Sequence, residues 1–306
     1  MSTLSAHHLS RRFGPVAAVT DLDLTLAGGE TFGLIGPDGA GKTTTLRMLA
    51  AVLRPTRGRA EVAGCDIVRQ PERVRRQIGY MPQQFSLYGD LSVLENLQFF
   101  ADIFGVRGTA ARQRIDRLLQ FARLQSFIHR PAGQLSGGMK KKLALACALI
   151  HQPPLLLLDE PTNGVDPISR REFWEILGEL RLAGVTILIT TPYMDEAERC
   201  DRVGLMHQGR LIRQDAPAAL RQLAPGHMFA LYTPDLLAAA ALAPGLPGHL
   251  SHQIYGDRLH LFLADPLPPQ VIAAYFSGHG LRLRQVLPDT PRLEEAFIYL
   301  MSTPQP

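Results

Sequence analysis

Nine consecutive residues, Gly36-Pro37-Asp38-Gly39-Ala40-Gly41-Lys42-Thr43-Thr44, constrain the fold of this chain more than any other stretch. A short apolar run, Thr31–Ile35, precedes them and predicts a strand. After them, Leu46, Leu49, Ala50 and Leu53 recur at helical spacing and predict a helix over 43–53. A strand, a glycine turn and a helix start in that order build an anion cradle. Glycines let backbone N–H groups turn inward, the helix dipole favours negative charge, and Lys42 can reach terminal phosphates. Thr43 is placed to offer its hydroxyl to Mg²⁺. A glycine-rich turn beside a chance lysine would look similar, so the remaining residues must decide.

A chain of 306 residues is long enough for one large domain and a smaller one. With 46% hydrophobic and 20% charged residues it should bury a sizeable core. The net charge of +4 is mildly basic. Basic residues gather at 69–76 and 107–130 without interleaved aromatics that could stack bases, so nucleic acid is not an expected partner. Three widely spaced cysteines, Cys65, Cys147 and Cys200, suggest neither a disulfide framework nor a zinc site and fit a reducing, cytoplasmic setting. No run reaches the roughly 18–20 apolar residues that span a bilayer, and the N-terminus lacks a signal pattern. A transport role would therefore need a separate membrane partner.

Residues 3–35 alternate, with turns at Gly14-Pro15 and Gly28-Gly29, and read as antiparallel strands leading into the phosphate loop. Strands are expected at 59–62 and 78–81, with a charged helix near 71–76 between them. Over 92–130 the spacing becomes helical (Leu94, Leu97, Ile115, Leu119), an insert of about residues 84–150 within the nucleotide-binding domain. A helix opens at Gly137, and Leu155–Leu158 reads as a buried parallel strand. Helix and strand then alternate to Met206, which argues for a mostly parallel sheet covered on both faces. Past about residue 223 the texture becomes rich in Ala, Leu and Pro. The expected domains are 1–223 and a small α/β accessory domain, 224–306. In the latter, strands are expected at 228–232, 259–263 and 281–286, and helices at 234–241, 269–276 and 293–301.

Leu158-Asp159-Glu160 ends the buried strand. An aspartate there can hold Mg²⁺, usually through water, and the next glutamate can orient or deprotonate an attacking water. Leu135-Ser136-Gly137-Gly138-Met139 supplies a second anion-binding helix start. One chain already has one cradle, so this second site is most economically read as serving the nucleotide of another subunit.

Over roughly residues 3–223 the sequence resembles the ATPase subunits of ATP-binding cassette (ABC) transporters, with the motifs in the family's order. The resemblance implies that Phe13 stacks on the adenine of ATP and that Gly36–Thr44 is the Walker A loop. It implies that Gln83 touches Mg²⁺ and reports to the membrane subunit, and that Leu135–Met139 is the signature. Leu155–Glu160 would be the Walker B strand with its catalytic glutamate, and Asn163-Gly164-Val165-Asp166 the loop that crosses the dimer interface. Thr190–Cys200 and the terminal Pro291–Phe297 look most like the drug, antibiotic and polysaccharide exporters with ABC-2 type permeases.

Two departures stand out. Met139 replaces the usual glutamine and is followed by Lys140-Lys141-Lys142, read here as a solvated helix face. Pro192 stands where the family places a histidine that contacts the γ-phosphate. Proline fits the first turn of a helix with Thr191 as cap, but it offers no donor.

The expectation is thus an α/β fold: a P-loop ABC ATPase core with a mostly parallel sheet, an N-terminal antiparallel β subdomain, a helical insert and a small C-terminal α/β domain. ATP and Mg²⁺ would be its cofactors. An integral-membrane permease and a second ATPase subunit would be its partners, on the inner face of the cell membrane. The segment after Gln83, especially residues 85–97 and the helical insert, is the expected permease contact, with Phe85 and Tyr88 the positions to substitute; internal packing is the alternative role for its apolar residues. The alternatives are a soluble ABC ATPase acting on ribosomes or DNA, and a regulatory nucleotide-binding subunit with little catalysis.

Overall fold

A computed structural model describes residues 2–84 and 87–302; Phe85, named above for permease contact, lies outside them. The chain divides into two compact units, Met1–Ala216 and Pro217–Pro306.

The first unit opens with β1 (Ser2–Phe13) and β2 (Val16–Ala27), paired antiparallel across the Gly14-Pro15 turn. Alternate residues on one face, Leu4 and Ala6 against Leu22, Leu24 and Leu26, are buried in a common core. β3 (Thr31–Ile35) and α1 (Lys42–Leu49) follow. β4 (Arg57–Val62) and β5 (Cys65–Asp66) then complete an antiparallel sheet in the order β2-β1-β4-β5. After α2 (Pro71–Gln77) and β6 (Ile78–Met81) comes the helical insert, with α3 (Val93–Ile103), α4 (Gly108–Phe121) and α5 (Gly137–Leu149). It has its own core, in which Val93, Leu97, Ile115, Leu119, Leu143 and Cys147 are buried. A capping box fixes the start of α3: Ser92 Oγ accepts from Glu95 N at 3.2 Å, and Glu95 Oε2 accepts from Ser92 N at 2.8 Å.

β7 (Leu155–Asp159), α6 (Pro167–Leu182), β8 (Thr186–Thr191), α7 (Met194–Ala197), β9 (Arg202–His207) and β10 (Arg210–Asp215) complete the unit. The second sheet runs β10-β9-β3-β8-β7-β6, parallel throughout except for the antiparallel β9–β10 pair. β3 therefore does not continue the antiparallel strands before it, as its sequence neighbourhood suggested. All five of its residues are buried, whereas β2 alternates buried and exposed, and only a strand covered on both faces tolerates that. The C-terminal ends of β3, β8, β7 and β6 lie side by side. In open α/β sheets this is the edge where ligands bind.

The second unit contains α8 (Pro217–Arg221), β11 (His227–Tyr232), α9 (Leu236–Leu242), β12 (His249–Tyr255), β13 (Arg258–Leu263), α10 (Pro269–Gly278), β14 (Gln285–Asp289) and α11 (Leu293–Ser302). Its antiparallel sheet has the order β12-β13-β11-β14. Phe229, Leu231, Leu259 and Leu261 pack on one face with Ile272 and Phe276 of α10. Met228 and Phe262 pack on the other with Ala224 and with Ala296 of α11. The break at 216/217 precedes the compositional shift near 223 because α8 packs against α11. The strand expected over 281–286 forms later, at Gln285–Asp289, where it pairs with β11.

Candidate functional site

The loop from Gly36 to Gly41 is shaped by positions that no other residue could fill. A Cβ on Gly36 would lie 2.1 Å from the Met206 carbonyl oxygen. Gly41, at φ +104°, would place one 2.4 Å from the Ala18 carbonyl oxygen. Asp38, Gly39, Ala40, Gly41, Lys42, Thr43 and Thr44 line a cleft of 350 Å³ together with Gln83, Glu160 and Asn163. Lys42 is 4% exposed. Its Nζ donates to the Gly36 carbonyl at 2.8 Å and the Pro37 carbonyl at 3.1 Å, and lies 3.3 Å from Glu160 Oε1.

Gln83 follows β6 and meets the same carboxylate: its Nε2 donates to Glu160 Oε2 at 2.7 Å. Glu160 leaves β7 in a left-handed conformation, φ +46°, held by its N–H bond to Thr190 Oγ1 at 2.9 Å. Such backbone conformations persist only where the surroundings enforce them, and they concentrate at functional sites.

Asp159 is fully buried. Its Oδ1 accepts from Thr190 Oγ1 at 2.8 Å and from Thr43 Oγ1 at 3.0 Å. Its Oδ2 is buried with no hydrogen-bond partner among the described residues. Burial pushes its carboxyl above the usual range, against the two hydroxyl bonds that favour the ion. A buried carboxylate with an idle oxygen beside a threonine hydroxyl suits a hard divalent cation.

Phe13 ends β1 and is 46% exposed, with the Arg11 guanidinium 4.6 Å from its ring centroid. Ser136, exposed, caps α5: its Oγ accepts from Met139 N at 3.3 Å. Gly138 is buried because a Cβ there would sit 2.4 Å from Ser169 Cβ, so α5 and α6 touch at this point. Asp166 caps α6 by accepting from Ser169 N at 2.9 Å, and bonds of this kind hold its carboxyl below the usual range. Ser136, Gly137, Gly138, Asp166 and Phe13 are not among the residues that line this cleft.

Two local expectations need correction. Pro192 does not open a helix capped by Thr191. Thr191 is still in β8, Tyr193 occupies the cap position and α7 starts at Met194. Thr191 Oγ1 instead accepts from Tyr193 N at 3.1 Å and donates to Glu196 Oε2 at 2.7 Å. Two of the three lysines after Met139 do not belong to a solvated face either. Lys142 is buried and paired with Glu172, and Lys141 Nζ donates to the Gln83 carbonyl at 3.2 Å.

A model of the ABC transporter family matches residues 19–163. The probable multidrug ABC transporter ATP-binding protein YbhF of Escherichia coli K12 is 43% identical over 98% of this chain, which spans 52% of YbhF. The Nod factor export ATP-binding protein I of Burkholderia lata is 39% identical over 98% of this chain and 97% of its own length. The chain belongs to the ABC transporter family. Among solved structures, an ATP-binding subunit of an ABC transporter superposes with a TM-score of 0.66 and 31% identity, covering 72% of this chain and 92% of its own. The dimeric cassette MJ0796, in a post-hydrolysis state bound to ADP and Pi, gives 0.64 and 27%, covering 70% and 98%. This chain spans about half the length of YbhF.

Several residues around the cleft were not singled out from sequence. Thr190 bonds both Asp159 and the Glu160 N–H. Buried Glu196 accepts from Thr162 Oγ1 and Thr191 Oγ1, both at 2.7 Å, and pairs with Arg170 Nε at 2.7 Å. A Thr-Thr pair ending an apolar strand was the available signal for the first. Nothing local marks the second.

Proposed function

We propose that this chain binds and hydrolyses ATP as the nucleotide-binding subunit of an exporter, acting with a separate integral-membrane permease of the ABC-2 type. The observation that supports it best is the convergence of Lys42, Thr43, Gln83 and Glu160 on one cleft at the C-terminal edge of the parallel sheet, with buried Asp159 bonded to Thr43. Gly36, Pro37 and Asp38–Thr44 would wrap the phosphates, Lys42 would bear on the terminal ones, and Phe13 would stack on adenine. Mg²⁺, held by Thr43, Gln83 and, through water, Asp159, would neutralise phosphate charge. Glu160 would orient the attacking water. The water oxygen bonds to the γ-phosphorus as the bond to the bridging oxygen breaks, its electron pair leaves with ADP, and the water's proton passes to the Glu160 carboxylate.

Ser136, Gly137 and Gly138 of a facing copy would close over the nucleotide in a head-to-tail dimer, with Asp166 at the crossing. Closure on ATP and reopening after hydrolysis would then drive the permease. The names of the relatives, multidrug and Nod factor export, support an exporter. No helix among the described residues is long and apolar enough to cross a membrane. By its resemblance to exporter ATP-binding proteins the chain would sit on the cytoplasmic face, held by the permease through the region after Gln83, where Tyr88 is 49% exposed. Pro192 favours a second reading, a weakened site paired with a complete second ATPase.

Steady-state ATPase activity and binding of a fluorescent ATP analogue by the purified chain test the first reading. Glu160→Gln should reduce turnover by about 10²-fold or more, keep nucleotide binding, and sediment as a dimer in ATP. A variant that binds ATP and stays monomeric would count against the head-to-tail arrangement. Pro192→His raising a slow wild-type rate by on the order of 10²-fold would favour the second reading.

A further inference from the structure

We propose that Asn163 is the positioning residue for Glu160 in this chain, supplying from the loop after β7 the side-chain donor that Pro192 lacks. The inference rests on the reading of the cleft as an ATPase site. Glu160 Oε2 receives two N–H donors, Gln83 Nε2 at 2.7 Å and Asn163 Nδ2 at 3.2 Å, while Oε1 faces Lys42. A carboxylate held on both oxygens has little freedom to rotate away from an attacking water, and such pre-positioning lowers the barrier. Asn163 lines the phosphate cleft itself. Its N–H bonds the Glu160 carbonyl at 3.2 Å, so backbone and side chain of one residue both fasten the glutamate.

The orientation of the amide is also set. Tyr193 Oη donates to Asn163 Oδ1 at 3.5 Å, which leaves Nδ2 turned towards the carboxylate. Tyr193 is in turn fixed at both ends. Its N–H bonds Thr191 Oγ1, and the Arg170 guanidinium lies 4.5 Å from its ring centroid. Arg170 is anchored by Glu196, which is 1% exposed and accepts from both Thr162 and Thr191. A buried carboxylate therefore orders an arginine, the arginine a tyrosine, and the tyrosine the amide beside Glu160. Pro192 sits within this chain of contacts, between Thr191 and Tyr193, with no donor of its own. The two flanking residues reach the glutamate through Asn163.

The test is kinetic, on the full chain. Asn163→Ala should lower kcat by about tenfold while KM and the affinity for a fluorescent ATP analogue stay within about twofold. Tyr193→Phe should give a smaller loss in the same parameter. In the Pro192→His background, the loss caused by Asn163→Ala should shrink to about threefold or less, because a second donor then serves the site. Thermal unfolding of each variant separates positioning from loss of fold: an unchanged Tm with reduced kcat supports the proposal. Any of three results would overturn it: an unchanged kcat in Asn163→Ala, an equal loss in both backgrounds, or a wild type that binds ATP without turning it over. A wild type that fails to bind ATP would instead sink the underlying site assignment, and the proposal with it.

Discussion

Lys42 Nζ lies 3.3 Å from Glu160 Oε1, with both side chains about 95% buried. The ammonium proposed to grip the terminal phosphate is thus shared with the carboxylate proposed to orient the water. An incoming γ-phosphate must compete with Glu160 for it. Removing that competitor's charge should tighten ATP binding, so Glu160→Gln should lower the equilibrium Kd by up to about tenfold, equivalent to ~1.4 kcal/mol. Titration with a fluorescent analogue checks this. An unchanged or weakened Kd would mean that the pair does not compete with nucleotide.

Gly138 meets Ser169 so closely that a Cβ would fall 2.4 Å from both Cβ and Oγ of the serine. Gly138→Ala should force α5 from α6 and destabilise the first unit by about 1–3 kcal/mol. Ser169→Gly removes both clashing atoms and should restore part of the loss. Chemical denaturation of the two single variants and the double variant measures the coupling. Additive losses would show that the contact is not where the strain lies.

The features legible in the sequence are those whose chemistry is local. Thr31–Thr44 declares a strand, a turn and a helix start within a few residues, and Leu155–Leu158, bounded by prolines and acids, reads as a strand buried on both faces, as it is. What stayed hidden depends on partners distant in sequence. β12, His-Leu-Ser-His-Gln-Ile-Tyr, is too polar to declare itself and becomes a strand by pairing with β13. Lys141 and Lys142 read as a solvated run because their partners, the Gln83 carbonyl and Glu172, lie 58 and 30 positions away. Asn163 looked like one member of a loop motif. Only the fold brings Tyr193, 30 positions on, against its amide.

Lys141 ties α5 to the segment after β6. Burial holds its ammonium below the usual lysine range, while the charges of Glu160 and Asp159 oppose that shift. Lys141→Met keeps the aliphatic stem and removes the donor to the Gln83 carbonyl. Amide exchange over 81–84 should then quicken, with nucleotide affinity retained and kcat reduced by about three- to tenfold. Unaltered exchange there would show that the lysine does not restrain Gln83.

In the second unit, buried His260 on β13 and Glu295 on α11 meet at 3.0 Å, Nδ1 to Oε1. Burial alone would raise the Glu295 carboxyl. The bonds from His260 and the Arg292 N–H, with the histidine's charge, outweigh it and hold the group below the usual glutamate range. A depressed carboxyl stabilises the fold above its unfolded value, about 4.3, and that contribution disappears as pH falls through the folded value. At about pH 7, α11 in the wild type should exchange its amides up to about tenfold more slowly than in Glu295→Gln. The two should converge only once pH has fallen through the depressed folded value, where the wild-type carboxyl is itself protonated. Exchange over 293–302, measured in both proteins at matched pH, decides it: a gap that persists into acid would mean that the helix is held by packing around Ala296 and Leu293 rather than by the ionised carboxylate.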